Sequence, residues 1–208
     1  TPRLAWSANI GDGDSRKRRI TASPVVAGGL VYTLDAGTTV TATSTAGGTV
    51  WQRRIDPLRD GDDSSTGGGL AVKDGRLYVS LGVGVLVALD AGSGGEIWRQ
   101  QLDATASGAP SAFGDLVYVT SGDDTGWALS AADGRVAWQV TGSPDVNNVL
   151  GAPAPALSDD LAIFAFGSGE VQALFRQGGL RRWEASVLGQ RFGQSLSTIG
   201  DVTGAPVI

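Results

Sequence analysis

The stretch ALDAGSGGEIW, residues 88–98, decides the fold because three further segments of the chain follow the same frame. These segments are ALSAADGRVAW at 128–138, ALFRQGGLRRW at 173–183 and, with weaker identity, TATSTAGGTVW at 41–51. In each, a glycine lies four residues before the tryptophan: Gly47, Gly94, Gly134 and Gly179 precede Trp51, Trp98, Trp138 and Trp183. With Trp6, the five tryptophans are 45, 47, 40 and 45 residues apart. Such a period is typical of propellers and some solenoids, whose units bury apolar faces by stacking on their neighbours.

The residues around this frame predict four β-strands in each repeat. Short apolar runs begin at equivalent places, which are Pro24, Leu70, Pro110, Pro155 and Pro206. Eight residues after the first four lie Tyr32, Tyr78, Tyr118 and Ile163, in runs that are apolar on both faces of the strand. Such strands are covered on both sides. A third strand then turns at the shared glycine, which accepts a positive φ, into the strand that carries the tryptophan.

We therefore expect an all-β propeller of four-stranded antiparallel blades, in a single partial domain over 1–208. The expected boundaries are an orphan outer strand and loop at 1–19, blades at 20–55, 66–102, 106–142 and 151–187, and the start of a next blade at 202–208. Trp6 stands in a fourth-strand pattern that lacks its first three strands. Because propellers commonly close with four to eight blades, we interpret the chain as about half of a larger ring.

Composition excludes several kinds of chemistry. The 208 residues include no cysteine and no histidine, which excludes disulfides, thiolate catalysis, zinc-thiolate sites and histidine-based acid–base catalysis. The formal net charge is −5, so a general nucleic-acid-binding role is disfavoured. The one basic run, Arg16 to Arg19, is interpreted as a solvated loop rather than a polyanion site. No apolar stretch approaches the roughly 20 residues that a membrane-spanning helix needs.

Three local features suggest a ligand, and each also has a structural explanation. The GVGV stretch at 82–85 lies between strands with no helix after it, so we reject a phosphate-binding loop. The RDGDDS stretch at 59–64 is calcium-loop-like but lacks the spaced terminal glutamate, which favours a solvated connection between blades. Trp127 lies outside the repeat frame, in a predicted loop, where it either binds a partner or packs against the hairpin.

The repeat Ala-Leu-(Asp/Ser)-x-x-x-Gly-x-x-x-Trp resembles that of the quinoprotein-dehydrogenase-like (PQQ-like) propeller family. Within that family the whole chain is most similar to the BamB-like assembly factors. The stretches that carry this similarity are LAWSANIG at 4–11, GAPAP at 151–155 and DVTGAPV at 201–207. The resemblance implies an eight-bladed parent protein, in which an N-terminal strand such as that of Trp6 completes the last blade.

The resemblance also implies a function without catalysis. BamB-like proteins are scaffold subunits of the outer-membrane β-barrel assembly machinery. They bind the periplasmic part of the barrel-forming, BamA-like subunit and assist the folding and insertion of outer-membrane proteins, which are themselves candidate partners. No cofactor is implied. The implied location is the periplasmic face of the outer membrane, with a lipid anchor on an N-terminal cysteine that this chain does not contain.

By the same resemblance, two loops would contact the partner. In the first, Val149 keeps the apolar character of the family, whereas Asn147 and Leu150 replace the usual leucine and arginine. In the second, Asp201 matches and Thr203 replaces a second acid. The candidate partner-binding residues are therefore Val149, Leu150 and Asp201. Their alternative roles are loop packing against a blade edge for the first two and a turn residue for Asp201.

Two other functions stay open at this point. One is a PQQ-dependent dehydrogenase, in which a quinone and usually Ca²⁺ lie at the propeller centre near a catalytic aspartate. Many such enzymes also have a vicinal disulfide, for which this chain has no cysteine, and its acids lie in turns. The other is a protein-binding propeller of unrelated role. Because the chain has no such cysteine and its acids lie in turns, we predict that it is not an enzyme.

Overall fold

The computed structural model describes residues 3–15, 19–56, 68–102, 108–143, 152–187 and 204–207. Within these ranges the chain forms four four-stranded antiparallel sheets, each with its strands in chain order. Blade 1 comprises β1 (Val25–Ala27), β2 (Leu30–Leu34), β3 (Thr39–Ser44) and β4 (Thr49–Arg54). Blade 2 comprises β5 (Gly68–Lys73), β6 (Arg76–Leu81), β7 (Val85–Asp90) and β8 (Glu96–Gln101).

The second pair of blades repeats this arrangement. Blade 3 comprises β9 (Ser111–Phe113), β10 (Leu116–Thr120), β11 (Thr125–Ser130) and β12 (Val136–Thr141). Blade 4 comprises β13 (Ala156–Leu157), β14 (Leu161–Ala165), β15 (Glu170–Phe175) and β16 (Arg181–Ser186). The predicted all-β fold with four-stranded antiparallel blades is thus confirmed.

The register of the first two strands explains the eight-residue spacing in the sequence. In every blade the residue after the proline position pairs with the tyrosine position. The pairs are Val25 with Tyr32, Ala71 with Tyr78, Ser111 with Tyr118, and Ala156 with Ile163. A short first strand and a tight turn therefore set the spacing.

A bulge at one place in every blade corrects one detail of the sequence alignment. The register between the third and fourth strands shifts just after the alanine that pairs with the repeat tryptophan. These alanines are Ala42, Ala88, Ala128 and Ala173. The alignment that began the first repeat at Thr41 is therefore wrong by one residue, because the hairpin of blade 1 is one residue shorter than the others.

Each blade has two ends with different hydrogen bonds. The three turns of a blade are numbered in chain order, so that the first joins its first and second strands. At the hairpin end, a carbonyl of the first turn accepts from the residue at the start of the third turn, as in Ala91 N to Gly75 O at 2.9 Å. At the connection end, a carbonyl of the second turn accepts from the chain as it leaves the fourth strand. The connection-end pairs are Ile55 with Thr38, Leu102 with Gly84, Gly142 with Asp124, and Val187 with Gly169. Residues 82–84 of the GVGV stretch form one such turn, between β6 and β7, and Val85 is the first residue of β7.

The hydrophobic core lies between successive blades. Leu77 and Val79 of β6 belong to a cluster shared with blade 1, whereas Tyr78 between them belongs to a cluster shared with blade 3. A third cluster joins Tyr118 of blade 3 to Phe164 of blade 4. Because successive side chains of a strand point to opposite faces, the inner strands of each blade fill two clusters at once. Their apolar character on both faces follows from this.

The repeat tryptophans form the junctions between blades. Each indole lies against the repeat glycine of the next blade, where an added Cβ would be 2.5 to 2.9 Å from the ring or its Cβ. The pairs are Trp6 with Gly47, Trp51 with Gly94, Trp98 with Gly134, and Trp138 with Gly179. The four indole Nε1 atoms donate, in the same order, to the carbonyls of Thr45, Ala91, Ala131 and Arg176 at 2.8 to 3.0 Å. The glycine and the tryptophan of one repeat thus serve two different junctions.

Trp6 makes this junction without belonging to a strand. Residues 3–10 have no strand assignment, although the sequence predicts an outer strand there. A strand needs a hydrogen-bonded neighbour, and none lies beside this segment in the described part of the chain. The indole still covers Gly47 and donates to Thr45 O at 2.8 Å.

Trp127 lies in a strand, which corrects its predicted location in a loop. It belongs to β11 and pairs with Gln139 of β12. Its side chain is buried in the cluster between blades 2 and 3, and its Nε1 donates to Ser121 Oγ at 2.9 Å. Of the two roles considered for Trp127, packing is therefore confirmed.

Candidate partner-binding end

The predicted contact residues Val149, Leu150 and Asp201 lie outside the described residues, as do 16–18 of the basic run and the calcium-loop-like stretch 59–64. The structure does describe where the chain leaves blades 3 and 4 toward the predicted contacts. Gly142 N donates to Asp124 O at 2.8 Å, and Val187 N donates to Gly169 O at 2.9 Å. Both departures are at the connection end, on adjacent blades.

The start of the connection between blades 3 and 4 is held by a buried acid. Ser143 N donates to Glu170 Oε2 at 2.7 Å, across the boundary between the blades. The other oxygen, Glu170 Oε1, accepts from Gln172 Nε2. Glu170 is the first residue of β15, so the strand itself sets the position of the carboxylate.

The far side of this connection is fixed by close backbone packing. A Cβ on Gly108 would lie 2.2 Å from the carbonyl oxygen of Ala152, so only glycine permits this approach. Ser111 Oγ donates to Pro155 O at 2.7 Å, which joins β9 to the residue before β13. The described residues on both sides of 144–151 are thus anchored to blades 3 and 4.

Two further buried acids hold the connection end together in the same manner. Asp124 Oδ1 accepts from Gly167 N at 2.8 Å and joins the second turns of blades 3 and 4. Asp35 Oδ2 accepts from Asp12 N at 2.7 Å and joins blade 1 to the N-terminal segment. Neither Asp35 nor Glu170 stands out in the sequence, and Asp124 has the pattern of a turn residue. The feature of the sequence that could have revealed these buried acids is an acidic residue next to an otherwise apolar strand.

The environment of Glu170 lowers the pKa of its carboxyl. Burial alone would raise this pKa, but the hydrogen bonds from Ser143 and Gln172 and the positive charge of Arg181 outweigh burial. The ionised form is therefore favoured in the folded protein.

We expect Glu170→Gln to reduce stability at neutral pH. Ser143 N and Gln172 Nε2 donate to different carboxylate oxygens, and the amide replaces one of these oxygens with an NH2 donor. A lowered folded pKa contributes stability above the unfolded value, about 4.3, and that contribution is lost as pH falls through the folded value. The difference in unfolding free energy between wild type and variant should shrink below about pH 4. Urea unfolding at a series of pH values measures it.

Glu96→Gln is the matched control. The pKa of Glu96 is also lowered, but chiefly by its hydrogen bond with Arg99 at the protein surface. Added salt should diminish the effect of Glu96→Gln and leave that of Glu170→Gln largely intact, because surface ion pairs are screened. Equal salt sensitivity of the two variants would contradict this role of Glu170.

In the described part of the chain, the first strands of the four blades do not offer the ligands that a quinone with its metal ion needs. The first strands β1, β5, β9 and β13 lie side by side, and Lys73 is their one ionisable residue, paired with Asp74. Calcium needs about six to eight converging oxygen ligands. Across the described ranges no three acid, histidine or cysteine side chains form a metal-binding group. Those ranges also contain no helix long and apolar enough to cross a membrane.

Four antiparallel sheets joined by tryptophan–glycine junctions define a β-propeller of the quinoprotein-like repeat class. A family model described as outer membrane protein assembly factor BamB matches residues 36–208. The chain belongs to this family. No curated protein matches the chain.

Solved structures with the same fold include enzymes as well as assembly factors. BamB from Moraxella catarrhalis is 22% identical, with 85% of this chain and 51% of that chain covered and a TM-score of 0.67. A quinohemoprotein alcohol dehydrogenase from Pseudomonas putida HK5 is 21% identical, with 96% and 36% covered and a TM-score of 0.69. The computationally designed Ika8 protein is 14% identical, with 94% and 54% covered and a TM-score of 0.68.

These likenesses establish the fold, and the chain spans about half the length of the BamB structure. The same fold hosts a dehydrogenase, so the fold by itself does not choose between scaffold and enzyme.

Proposed function

We propose that this chain is part of a non-enzymatic scaffold in outer-membrane protein assembly and binds the periplasmic part of the barrel-forming subunit. The family match over residues 36–208 carries the proposal. The inner strands support it, since they offer no oxygen-rich set of ligands. The corresponding location is the periplasmic face of the outer membrane, with a lipid anchor outside this chain. Unfolded outer-membrane proteins are the second class of partner.

The connection end is the surface that we assign to the barrel-forming subunit. The connections that contain Val149, Leu150 and Asp201 leave adjacent blades at this end. The backbone amides of Gly167 and Ser143 donate to the carboxylates of Asp124 and Glu170, which holds the two blades together there. A rigid base of this kind lowers the entropy cost of binding, because less of the surface must be ordered on contact.

Val149→Asp and Asp201→Arg should each weaken binding of the purified periplasmic part of the barrel-forming subunit about tenfold, or about 1.4 kcal/mol. The first places a charge in an apolar contact, and the second reverses a charge at a polar one. Isothermal titration calorimetry measures both. Asp115→Arg is the control, because it makes the same charge change on an exposed turn at the hairpin end.

Unchanged affinity in both variants would discard these contact residues while leaving the function in place. Absence of binding by the wild-type chain would discard the proposed function. Binding of unrelated proteins with equal affinity would favour a protein-binding propeller of another role.

A PQQ-dependent dehydrogenase is the second candidate, favoured by the TM-scores of 0.69 and 0.67 with two quinohemoprotein alcohol dehydrogenases. Absorbance titration with PQQ and Ca²⁺ separates the candidates. A scaffold gives no saturable spectral change, whereas stoichiometric binding or dye-linked alcohol oxidation would establish the enzyme.

A further inference from the structure

Each blade ends in an edge strand at the rim of the propeller. The first strands of the blades lie side by side, so the fourth strands β4, β8, β12 and β16 are the outermost ones. On their outer side no strand is paired in the described part of the chain. This position is the same whatever number of blades completes the ring. A bare edge can pair with another polypeptide, and proteins usually protect it with charged side chains.

Among the four edge strands that the structure describes, β12 alone lacks an ionisable side chain. Its sequence over Val136–Thr141 is VAWQVT. The charged residues of the other edge strands are Arg53 and Arg54 on β4, Glu96 and Arg99 on β8, and Arg181, Arg182 and Glu184 on β16. The edge of β12 is therefore without the usual protection against strand pairing.

The rim between blades 1 and 2 shows how a protected edge is built. Arg53 Nη1 donates to Gly94 O at 3.1 Å, and Arg53 Nη2 lies 3.4 Å from Glu96 Oε2. Glu96 also pairs with Arg99, which donates to Asp56 O at 2.6 Å. The residues at the places of Arg53, Glu96 and Arg99 in the next pair of blades are Gln100, Val136 and Gln139. These three uncharged side chains cannot form an ion pair across the rim.

The free edge of β12 offers backbone hydrogen-bonding groups near the connection end. Gly142 N donates to Asp124 O, so Gly142 turns its backbone groups toward β11. Because successive residues of a strand alternate in this direction, Gln139 and Thr141 turn theirs outward, and both residues are exposed. Gln172 Nε2 of blade 4 reaches Thr141 O at 3.5 Å. The N–H and C=O of Gln139 and the N–H of Thr141 are the groups that an added strand would pair with.

The two faces of β12 define the sequence that fits beside it. Trp138 and Val140 pack against the cluster between blades 3 and 4, whereas Gln139 and Thr141 lie on the opposite, exposed face. An added strand extends both faces, so its side chains should be apolar beside Trp138 and Val140 and polar beside Gln139. Strands of outer-membrane barrels are about ten residues long and alternate apolar with polar side chains in this way.

We propose that the edge of β12 binds strand segments of unfolded outer-membrane proteins by backbone pairing. The inference rests on the proposed function, in which such proteins are the second class of partner, and it adds the place and the mode of their binding. Main-chain hydrogen bonds supply the affinity in this mode, and alternating side chains supply the preference. The chain passes from β12 into the connection 144–151, so the unfolded protein and the barrel-forming subunit would bind to adjoining parts of blade 3.

Fluorescence anisotropy with a labelled synthetic peptide tests the proposal. The probe has about ten residues, the length of a barrel strand, in which valine and threonine alternate. It should bind the 208-residue chain saturably. The same peptide with every amide N-methylated should bind about tenfold more weakly, because it cannot donate to the edge. A peptide of the same composition with its valines grouped should also bind more weakly, because its faces do not match those of β12.

Gln139→Pro should weaken binding of the alternating peptide about tenfold, because it removes an outward N–H and places its ring in the path of the added strand. Proline is tolerated where the N–H of an edge strand faces solvent, so the pairing of β12 with β11 is kept. Gln52→Pro is the matched control, at the same place on the charged edge of β4, and should leave the affinity unchanged. Circular dichroism melts establish that both variants are folded, although Gln52 also donates to Thr41 Oγ1.

Four outcomes would overturn the inference. These are no binding of the alternating peptide, equal affinity for the methylated peptide, equal affinity for the grouped peptide, and equal losses in the two proline variants. Sedimentation adds a fifth: a wild-type dimer that Gln139→Pro converts to a monomer would assign the edge to a second copy of the chain. The calorimetry with the barrel-forming subunit does not depend on this edge, so failure of the inference is distinct from failure of the proposed function.

Discussion

Replacing Gly134 with alanine should lower the free energy of unfolding by about 2–5 kcal/mol. The added Cβ would lie 2.5 Å from Cε3 of Trp98, well inside van der Waals contact. The indole cannot move away freely, because its Nε1 donates to Ala131 O at 3.0 Å. The backbone contributes further strain, since Gly134 has φ 74°.

Gly75→Ala separates the two contributions and should cost only about 1–2 kcal/mol. Gly75 has φ 73°, almost the value at Gly134, but the space around its Cβ position is open. Urea unfolding of both variants measures the difference, which isolates the clash with the tryptophan. Equal losses would show that backbone conformation alone requires the repeat glycine, and would contradict its role in the junction.

Trp98→Ala should lower the free energy of unfolding by about 3–5 kcal/mol, the usual cost of truncating a buried aromatic residue. Its ring contributes to the cluster between blades 2 and 3 and lies 6.0 Å from the ring of Tyr78, centroid to centroid. Truncation also leaves Ala131 O without its indole donor. Urea unfolding, followed by circular dichroism, gives the value.

Trp183→Ala is the control for this variant. The same side chain at the same place in the repeat is 40% exposed here, so its loss should cost clearly less. A loss as large as that of Trp98→Ala would mean that the energy comes from packing within a blade rather than between blades.

The strands could be predicted because their signals are local. The glycine before each tryptophan indicates a tight turn, and the eight-residue spacing from Pro110 to Tyr118 indicates a short hairpin. The shorter hairpin of blade 1 could not be predicted, because counting back from Trp51 does not show that Ala42, rather than Thr41, is its partner. Trp127 was misplaced because the residues before it, GDDTG, have the composition of a loop.

The candidate site was less accessible to sequence reasoning. Val149, Leu150 and Asp201 rest on family resemblance alone and stay predictions. The anchoring role of Glu170 and Asp124 is not visible in the sequence, because an acid near a glycine is typical of a solvated turn. Their carboxylates accept hydrogen bonds from backbone amides of an adjacent blade, Ser143 N and Gly167 N, and that proximity is set by the tertiary structure.

The sequence by itself determined the blades, since alternation, β-branched residues and turn glycines act over a few residues. It also marked the glycine and the tryptophan of each repeat, only four residues apart. Only the tertiary structure decided that these two residues face different neighbours, with Trp98 on Gly134 and Trp51 on Gly94. The physical reason is that a period specifies which residues recur, whereas the contact of two stacked sheets depends on which face of each sheet the other covers.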